Sequence, residues 1–212
     1  MTIEFTPLVQ MRDKTILAFI SGGLDSAYLA YYLLTDPQWS EYRVHLHHVH
    51  LMNVERRYVK ESQAFDGQLG WLSANCRPFE HSTSILGVPW QRNGNTIRGM
   101  MDQDVTAFLG SYFFESMNVA YTAAGRTKSD NRGGLSERLA MNARRMDVVC
   151  PNSSKRRLYP IMHLTKRQVY DNCPSELRAL TWSCRFGQEE PCNKCPSCKQ
   201  LAECKAPPIE TL

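Results

Sequence analysis

Two groups of residues in this chain have the types and spacing of chemical sites. The first is Ser21-Gly22-Gly23-Leu24-Asp25-Ser26, set between the apolar stretches 14–20 (KTILAFI) and 27–34 (AYLAYYLL). Its two glycines carry no side chain, so backbone N–H groups can converge on an anion while a helix starting there turns its positive end to the same point. A phosphate or pyrophosphate is the natural guest, with the Ser21 and Ser26 hydroxyls donating to its oxygens. Asp25 repels phosphates unless a cation intervenes, and magnesium supplies one. The competing reading is a glycine turn whose helix is capped by Asp25 and which needs no ligand. The string is not the longer glycine-rich loop that ends in Lys-Ser or Lys-Thr, and no lysine follows it to reach a terminal phosphate. Chemistry at an α-phosphate, releasing pyrophosphate, fits it better than kinase-type transfer.

The second group lies in residues 181–198 (TWSCRFGQEEPCNKCPSC), where seven, two and two residues separate Cys184, Cys192, Cys195 and Cys198. Four thiolates at such spacings suit a closed tetrahedral zinc, which has no open position for chemistry and would brace the C-terminal segment. An iron–sulfur cluster is the rival, because Cys-x2-Cys-x2-Cys also begins a ferredoxin pattern. That pattern wants a fourth cysteine followed by proline, whereas Cys204 precedes Lys205. The chain has eight cysteines, five of them in its last 29 residues. No export signal opens the sequence, so the cluster reads as a metal site before it reads as disulfides, and the protein as cytoplasmic. Cys76, Cys150 and Cys173 stand apart as core or surface residues.

The elements that must position these groups alternate. Residues 14–20 read as a strand and 25–34 as a helix; 43–49 (RVHLHHV) as the next strand, with Asn53 as a cap for a helix reaching Ala74. Residues 81–95, rich in Ser, Pro, Gly and Asn, read as a loop, 97–116 as a helix and 119–123 as a strand ending at Gly125. Residues 126–134 read as loop, 136–146 as helix and 158–161 as a short extended piece. Thr165 and Gln168 match a capping box opening a further helix. Alternation of this kind calls for an α/β fold, a doubly wound parallel sheet covered on both faces, here with a C-terminal zinc-braced helical segment. The division expected is a nucleotide-binding domain over residues 1–165 and the zinc segment over 166–212. In such sheets ligands bind beyond the carboxyl ends of the strands, where the first group sits.

Composition adds bounds. The 212 residues are 42% hydrophobic and 22% charged, enough chain for one domain with an appendage. The longest apolar run, Ala27 to Leu34, is far short of a membrane span. A net charge of +4 suits phosphate-bearing small substrates and is too weak by itself to argue for nucleic acid. Few basic residues (Arg185, Lys194, Lys199) flank the cysteines, which disfavours direct nucleic-acid binding there. The basic groups Arg126, Lys128, Arg132 and Lys155-Arg156-Arg157 read as solvated loop charges more than ligands. His45, His47, His48 and His50 alternate along a strand, which separates them to two faces and makes a shared metal improbable.

Ser21 to Ser26 resembles the pyrophosphate-binding loop of the N-type ATP pyrophosphatases, enzymes of adenine nucleotide alpha hydrolase-like fold that adenylate a carbonyl or carboxyl oxygen and then displace AMP. Taken with Thr-x-Ser-Cys and Cys-x2-Cys-x2-Cys near the end, the chain resembles the 7-cyano-7-deazaguanine synthase family, as a divergent member. Arg92-Asn93, Gly125 with Asp130, and PIMHLTK (160–166) look like parts of the same layout, so the resemblance covers most of residues 14–204. It implies an ATP-dependent ligase that takes 7-carboxy-7-deazaguanine and ammonia to the amide and then to the nitrile. On that reading Ser21, Gly22, Gly23, Leu24, Asp25 and Ser26 hold ATP phosphates and Mg2+. Gly125 admits the adenylate, Asp130 orients substrate or metal, and Lys166 offsets phosphate charge. Zn2+ sits on the four cysteines, and a homodimer is allowed.

Two departures touch the substrate pocket. The family carries Tyr-Gly-Gln beyond the second strand where this chain has His50-Leu51-Met52, and Tyr-Pro-Asp-Cys where it has Asn131-Arg132-Gly133-Gly134. A relative that stops at the amide, or conjugates the activated base to another amine, stays open, as does an adenylating tRNA sulfurtransferase. A non-catalytic nucleotide-sensing or zinc-braced interaction protein is a further alternative.

Overall fold

Strand β1 (Thr15–Phe19) is buried along its whole length, as a strand covered on both faces must be. A computed structural model of the chain describes residues 14–52, 57–87, 91–93, 96–98, 102–131, 135–187 and 189–206. β1 pairs in parallel with β2 (Arg43–Met52) on one side and with β6 (Tyr121–Ala124) on the other. β3 (Glu80–Gly87) extends the sheet beyond β2, and the two-residue β7 (Arg157–Leu158) extends it beyond β6. The order is β3-β2-β1-β6-β7, every pair parallel.

Helices cover both faces. On one, Ile16, Ala18 and Ile20 pack with Ala27, Leu29 and Leu33 of α1 (Leu24–Thr35) and with Phe65 and Leu72 of α2 (Tyr58–Asn75). The same core takes Val169 of α5 (Lys166–Asn172) and Leu177 of α6 (Ser175–Ala179). On the other face Leu17 and Phe19 pack with Phe113 and Phe114 of α3 (Asp102–Ser116). α4 (Leu135–Val149) lies against α3, and α7 (Pro196–Lys205) against α5. The doubly wound α/β architecture expected from the alternation is the one observed.

Several local expectations need correction. Residues 81–87 are strand, not loop. Their polar text (HSTSILG) hides an edge strand whose side chains alternate between half-buried and exposed, and pairing with β2, not hydrophobicity, holds them. Residues 91–93 and 96–98 form a short antiparallel hairpin, β4 (Gln91–Asn93) with β5 (Thr96–Arg98), so the helix expected from residue 97 begins at Asp102. Residues 128–131 make a turn of 3-10 helix inside the expected loop. Asn53 and residues 132–134 lie outside the described residues, and α2 is preceded by Arg57 with no side-chain cap bond. Thr165 and Gln168 make both bonds of the capping box.

The histidines of β2 fall on two faces. His45 and His47 share the Ser82 hydroxyl, at 2.6 and 2.7 Å, while His48 and His50 meet Ser62 of α2. Burial, with His45 and His48 adding to it, pulls the His47 pKa down to about 3. Burial pulls His48 to about 4, against the Ile20 carbonyl bonded to it at 2.7 Å. Both are neutral in the folded chain and protonate near 6.5 once unfolded, so stability is full above pH 6.5 and is lost as pH falls toward 4 and then 3. Each should remove about 1.4 kcal/mol per pH unit in that window. Urea unfolding at pH 7, 5.5 and 4.5 should show this slope, shallower by one proton in His47→Gln; an unchanged slope in the variant would contradict it.

Candidate active site

The strand order reverses between β1 and β6, and at their carboxyl ends a cleft of about 280 Å3 opens. Ser21, Gly23, Leu24, Asp25 and Ser26 line it from the β1 side, Gly125, Arg126 and Asp130 from the β6 side. Gly22 holds φ +81°, and a Cβ there would stand 2.4 Å from the Glu61 carbonyl oxygen, so only glycine makes this turn. The Gly22 carbonyl accepts from the Trp182 N–H at 2.9 Å and from Gln68 Nε2 at 2.8 Å. The loop is thus pinned from α2 and from the segment that leads into the cysteines.

Inside the loop, Ser26 Oγ accepts from the Ser21 N–H at 3.0 Å and donates to the Gly23 carbonyl at 3.0 Å. Gly23 is the N-cap of α1, and no side chain caps the helix. Asp25 therefore does not play the capping part open to it from the sequence, and the first-turn amides of α1 stay available to an anion at the mouth of the cleft.

Asp25 pairs instead with Lys166 Nζ across 141 residues of chain. The other carboxylate oxygen, Oδ1, is buried and has no hydrogen-bond partner among the described residues. Burial raises the Asp25 pKa, Lys166 opposes the rise, and the nearby Asp130 adds to it. The three residues expected to be catalytic thus meet in one place, with Lys166 supplying a cation beside Asp25. Asp130 Oδ2 accepts from the Thr127 N–H at 2.8 Å and from the Thr127 hydroxyl at 3.2 Å, which fixes the turn after β6. A buried carboxylate oxygen without a donor fits a divalent cation, and Mg2+ there would neutralise phosphate charge. A Cβ on Gly125 would stand 2.9 Å from Asp25 C and O and from Ser26 N, so its bare Cα admits the first turn of α1 itself.

Of the basic loop residues, Lys128, Lys155 and Arg156 are exposed, as expected, and Arg132 lies outside the described residues, but Arg126 and Arg157 are withdrawn from solvent. Arg126 is 5% exposed and lines the cleft. Arg157 lines it too and donates to the Thr106 carbonyl at 2.8 Å and hydroxyl at 3.0 Å. Arg156 donates to the carbonyls of Ala120 and Val119 and lies 3.7 Å from the Phe114 ring centroid. The shielding of Arg126 and Arg157 depends on contacts tens of residues away, which a loop-like sequence does not announce. A further group unread from sequence is Arg57, paired with Glu61 and Asp102 on the opposite wall.

The four cysteine sulfurs lie within 4.8 Å of one another. Cys184 Sγ accepts from the N–H groups of Gly187 at 3.0 Å and Cys192 at 3.2 Å. Cys192 Sγ accepts from the Cys195 N–H at 3.4 Å, and Cys195 Sγ from the Cys198 N–H at 3.5 Å. Burial raises the Cys184 thiol pKa, but the N–H groups of Cys192, Gly187 and Phe186 outweigh it and bring it to about 6. Burial and the neighbouring sulfurs push Cys198 up to about 12. Thiolates packed this closely repel one another unless a cation joins them. Trp182 packs on this cluster and, through its N–H, on the Gly22 carbonyl. Ser183, Arg185, Ser197 and Gln200 carry the cluster's flank into the cleft wall.

No protein-family model matches the chain, and no curated protein matches it in sequence. Among solved structures it is similar to the U34-tRNA thiolase NcsA from Methanococcus maripaludis with its [4Fe-4S] cluster, at 14% identity and a TM-score of 0.49, over 93% of this chain. The chain spans 65% of the length of that structure. A likeness at this level assigns neither residues nor activity. Among the described residues no helix is long and apolar enough to cross a membrane.

Proposed function

We propose that the chain is an ATP-dependent ligase that adenylates a carboxylate, with 7-carboxy-7-deazaguanine as acceptor and ammonia as nucleophile. The observation that carries the reading is the meeting of Ser21–Ser26, the Asp25–Lys166 pair and Asp130 at the point where strand order reverses. An acceptor oxygen attacks the α-phosphate, the bond to the bridging oxygen breaks, and pyrophosphate leaves onto the glycine loop and the amides of α1. Lys166 offsets the charge that builds on the departing phosphates, and a divalent cation, if bound, would be held by Asp25 and would supply further positive charge there. Ammonia then adds to the acyl-adenylate and expels AMP, giving the amide and a proton. A second ATP activates the amide oxygen, and loss of AMP leaves the nitrile. Phe19, Val49, Leu51 and Val105 make an apolar wall suited to a planar heterocycle.

The acceptor's identity rests on the joint presence of the loop and the cysteine spacing. For the metal, sulfurs about 2.3 Å from one tetrahedral zinc stand about 3.8 Å apart, and Cys192 and Cys198 stand 4.0 Å apart. A cubane cluster, which puts each cysteine on a different iron, would spread them further. That favours structural zinc in a C-terminal segment, residues 166–212, bracing the nucleotide-binding part, and it counts against the sulfurtransferase reading. The test is incubation with ATP, magnesium, ammonium and 7-carboxy-7-deazaguanine, with products identified by mass. Nitrile with AMP and pyrophosphate is expected; amide alone would move the assignment to a relative that stops there, and an unchanged carboxylate would reject the acceptor.

A further inference from the structure

Arg126 is a charged group of the cleft whose donors are not all used among the described residues. It is buried to 5% exposure, and its Nε and Nη2 have no hydrogen-bond partner among the described residues. Its guanidinium lies 5.7 Å from the Tyr159 ring centroid, and that of Arg157 lies 5.9 Å from the same ring. A buried cation and a half-buried one therefore flank one aromatic ring. Burial lowers the Arg157 pKa, Tyr159 opposes the fall, and Arg126 adds to it, so the two guanidiniums feel each other. Arg157 spends its donors on Thr106; Arg126 does not spend those on its Nε–Nη2 edge. A buried guanidinium beside a second cation, with donors unmade, is costly unless an anion joins it.

The geometry points to Arg126 as the receptor for a substrate oxyanion in this cleft, either the acceptor carboxylate or the α-phosphate. Nε–H and Nη2–H point the same way from one edge of the guanidinium plane, and that edge matches two oxygens of a carboxylate or phosphate side on. Because Gly125 packs its bare Cα on the Asp25–Ser26 peptide, the residue after it is held beside the start of α1. Arg126 would thus place the reacting oxyanion next to the loop that receives pyrophosphate. The inference rests on the cleft being the substrate site proposed above, but not on which acceptor occupies it.

The test compares wild type with Arg126→Met by thermal unfolding, alone and with pyrophosphate, AMP or 7-carboxy-7-deazaguanine. Without ligand the variant should melt at or above the wild type, because it loses an unpaired buried charge. Pyrophosphate, received by the glycine loop, should raise both equally. The affinity for AMP or for the deazaguanine should fall at least about a hundredfold in the variant, the first result assigning the α-phosphate and the second the acceptor carboxylate. If the deazaguanine fails to stabilise the wild type while AMP does, the proposed acceptor is wrong and the AMP arm alone decides Arg126. A variant that melts below the wild type without ligand overturns the inference, as do unchanged affinities or a wild type that responds to neither ligand.

Discussion

Asp25→Asn should lower AMP release by about a hundredfold or more while leaving the metal content of the cysteine cluster unchanged. Asp25 carries one oxygen paired with Lys166 and one buried without a donor, in the first turn of the helix that faces the phosphates. Asparagine keeps the size but removes the charge that orders Lys166 and would hold a divalent cation. The lysine, released, is free to bind phosphate in the ground state, so nucleotide affinity should hold or rise while turnover falls. That split separates loss of transition-state stabilisation from loss of binding. Turnover within a few-fold of wild type would remove Asp25 from the mechanism. Purified variant assayed for AMP, nucleotide affinity and metal by mass spectrometry measures all three.

The second large effect is at the cysteines. Cys195→Ser should empty the metal site and lower the free energy of unfolding by about 4 kcal/mol or more. Cys195 is 3% exposed and is the N-cap of α7, where its Sγ accepts the Cys198 N–H; serine can keep that cap bond, so the loss is that of a metal ligand. The effect should travel to the nucleotide. Trp182, packed on the cluster, holds the Gly22 carbonyl through its N–H, and Gly22 is the one residue of the loop at positive φ. Loosening the cluster therefore frees the turn that shapes the phosphate site, and AMP or pyrophosphate affinity should drop with the metal. Metal retained in the variant, or metal lost with nucleotide affinity intact, would contradict this coupling.

What was readable in the sequence follows from how local each signal is. β1 and α1 announce themselves because the apolar run, the glycines and the second apolar run are contiguous. The Thr165–Gln168 capping box and the histidine alternation of β2 depend on spacings of three and two residues, and both hold. β3 escaped because an edge strand needs no hydrophobic text once β2 offers it a ladder of backbone partners. Arg126 and Arg157 looked like loop charges because their burial is made by Tyr159, Thr106 and the end of β6, a tertiary arrangement with no local pattern. Asp25, Asp130 and Lys166 were each singled out by motif, but the ion pair joining the first and third spans most of the fold and emerges only once α5 docks against α1.

The step on which the proposed function turns is attack of an acceptor oxygen on the α-phosphate of ATP in this cleft. Its most direct test uses 7-carboxy-7-deazaguanine labelled with 18O in both carboxylate oxygens, turned over with ATP, magnesium and ammonium, followed by mass analysis of every phosphorus-containing product. One 18O should appear in each AMP released in the first step and none in pyrophosphate. Label in inorganic phosphate, or AMP formed without label, would contradict the account.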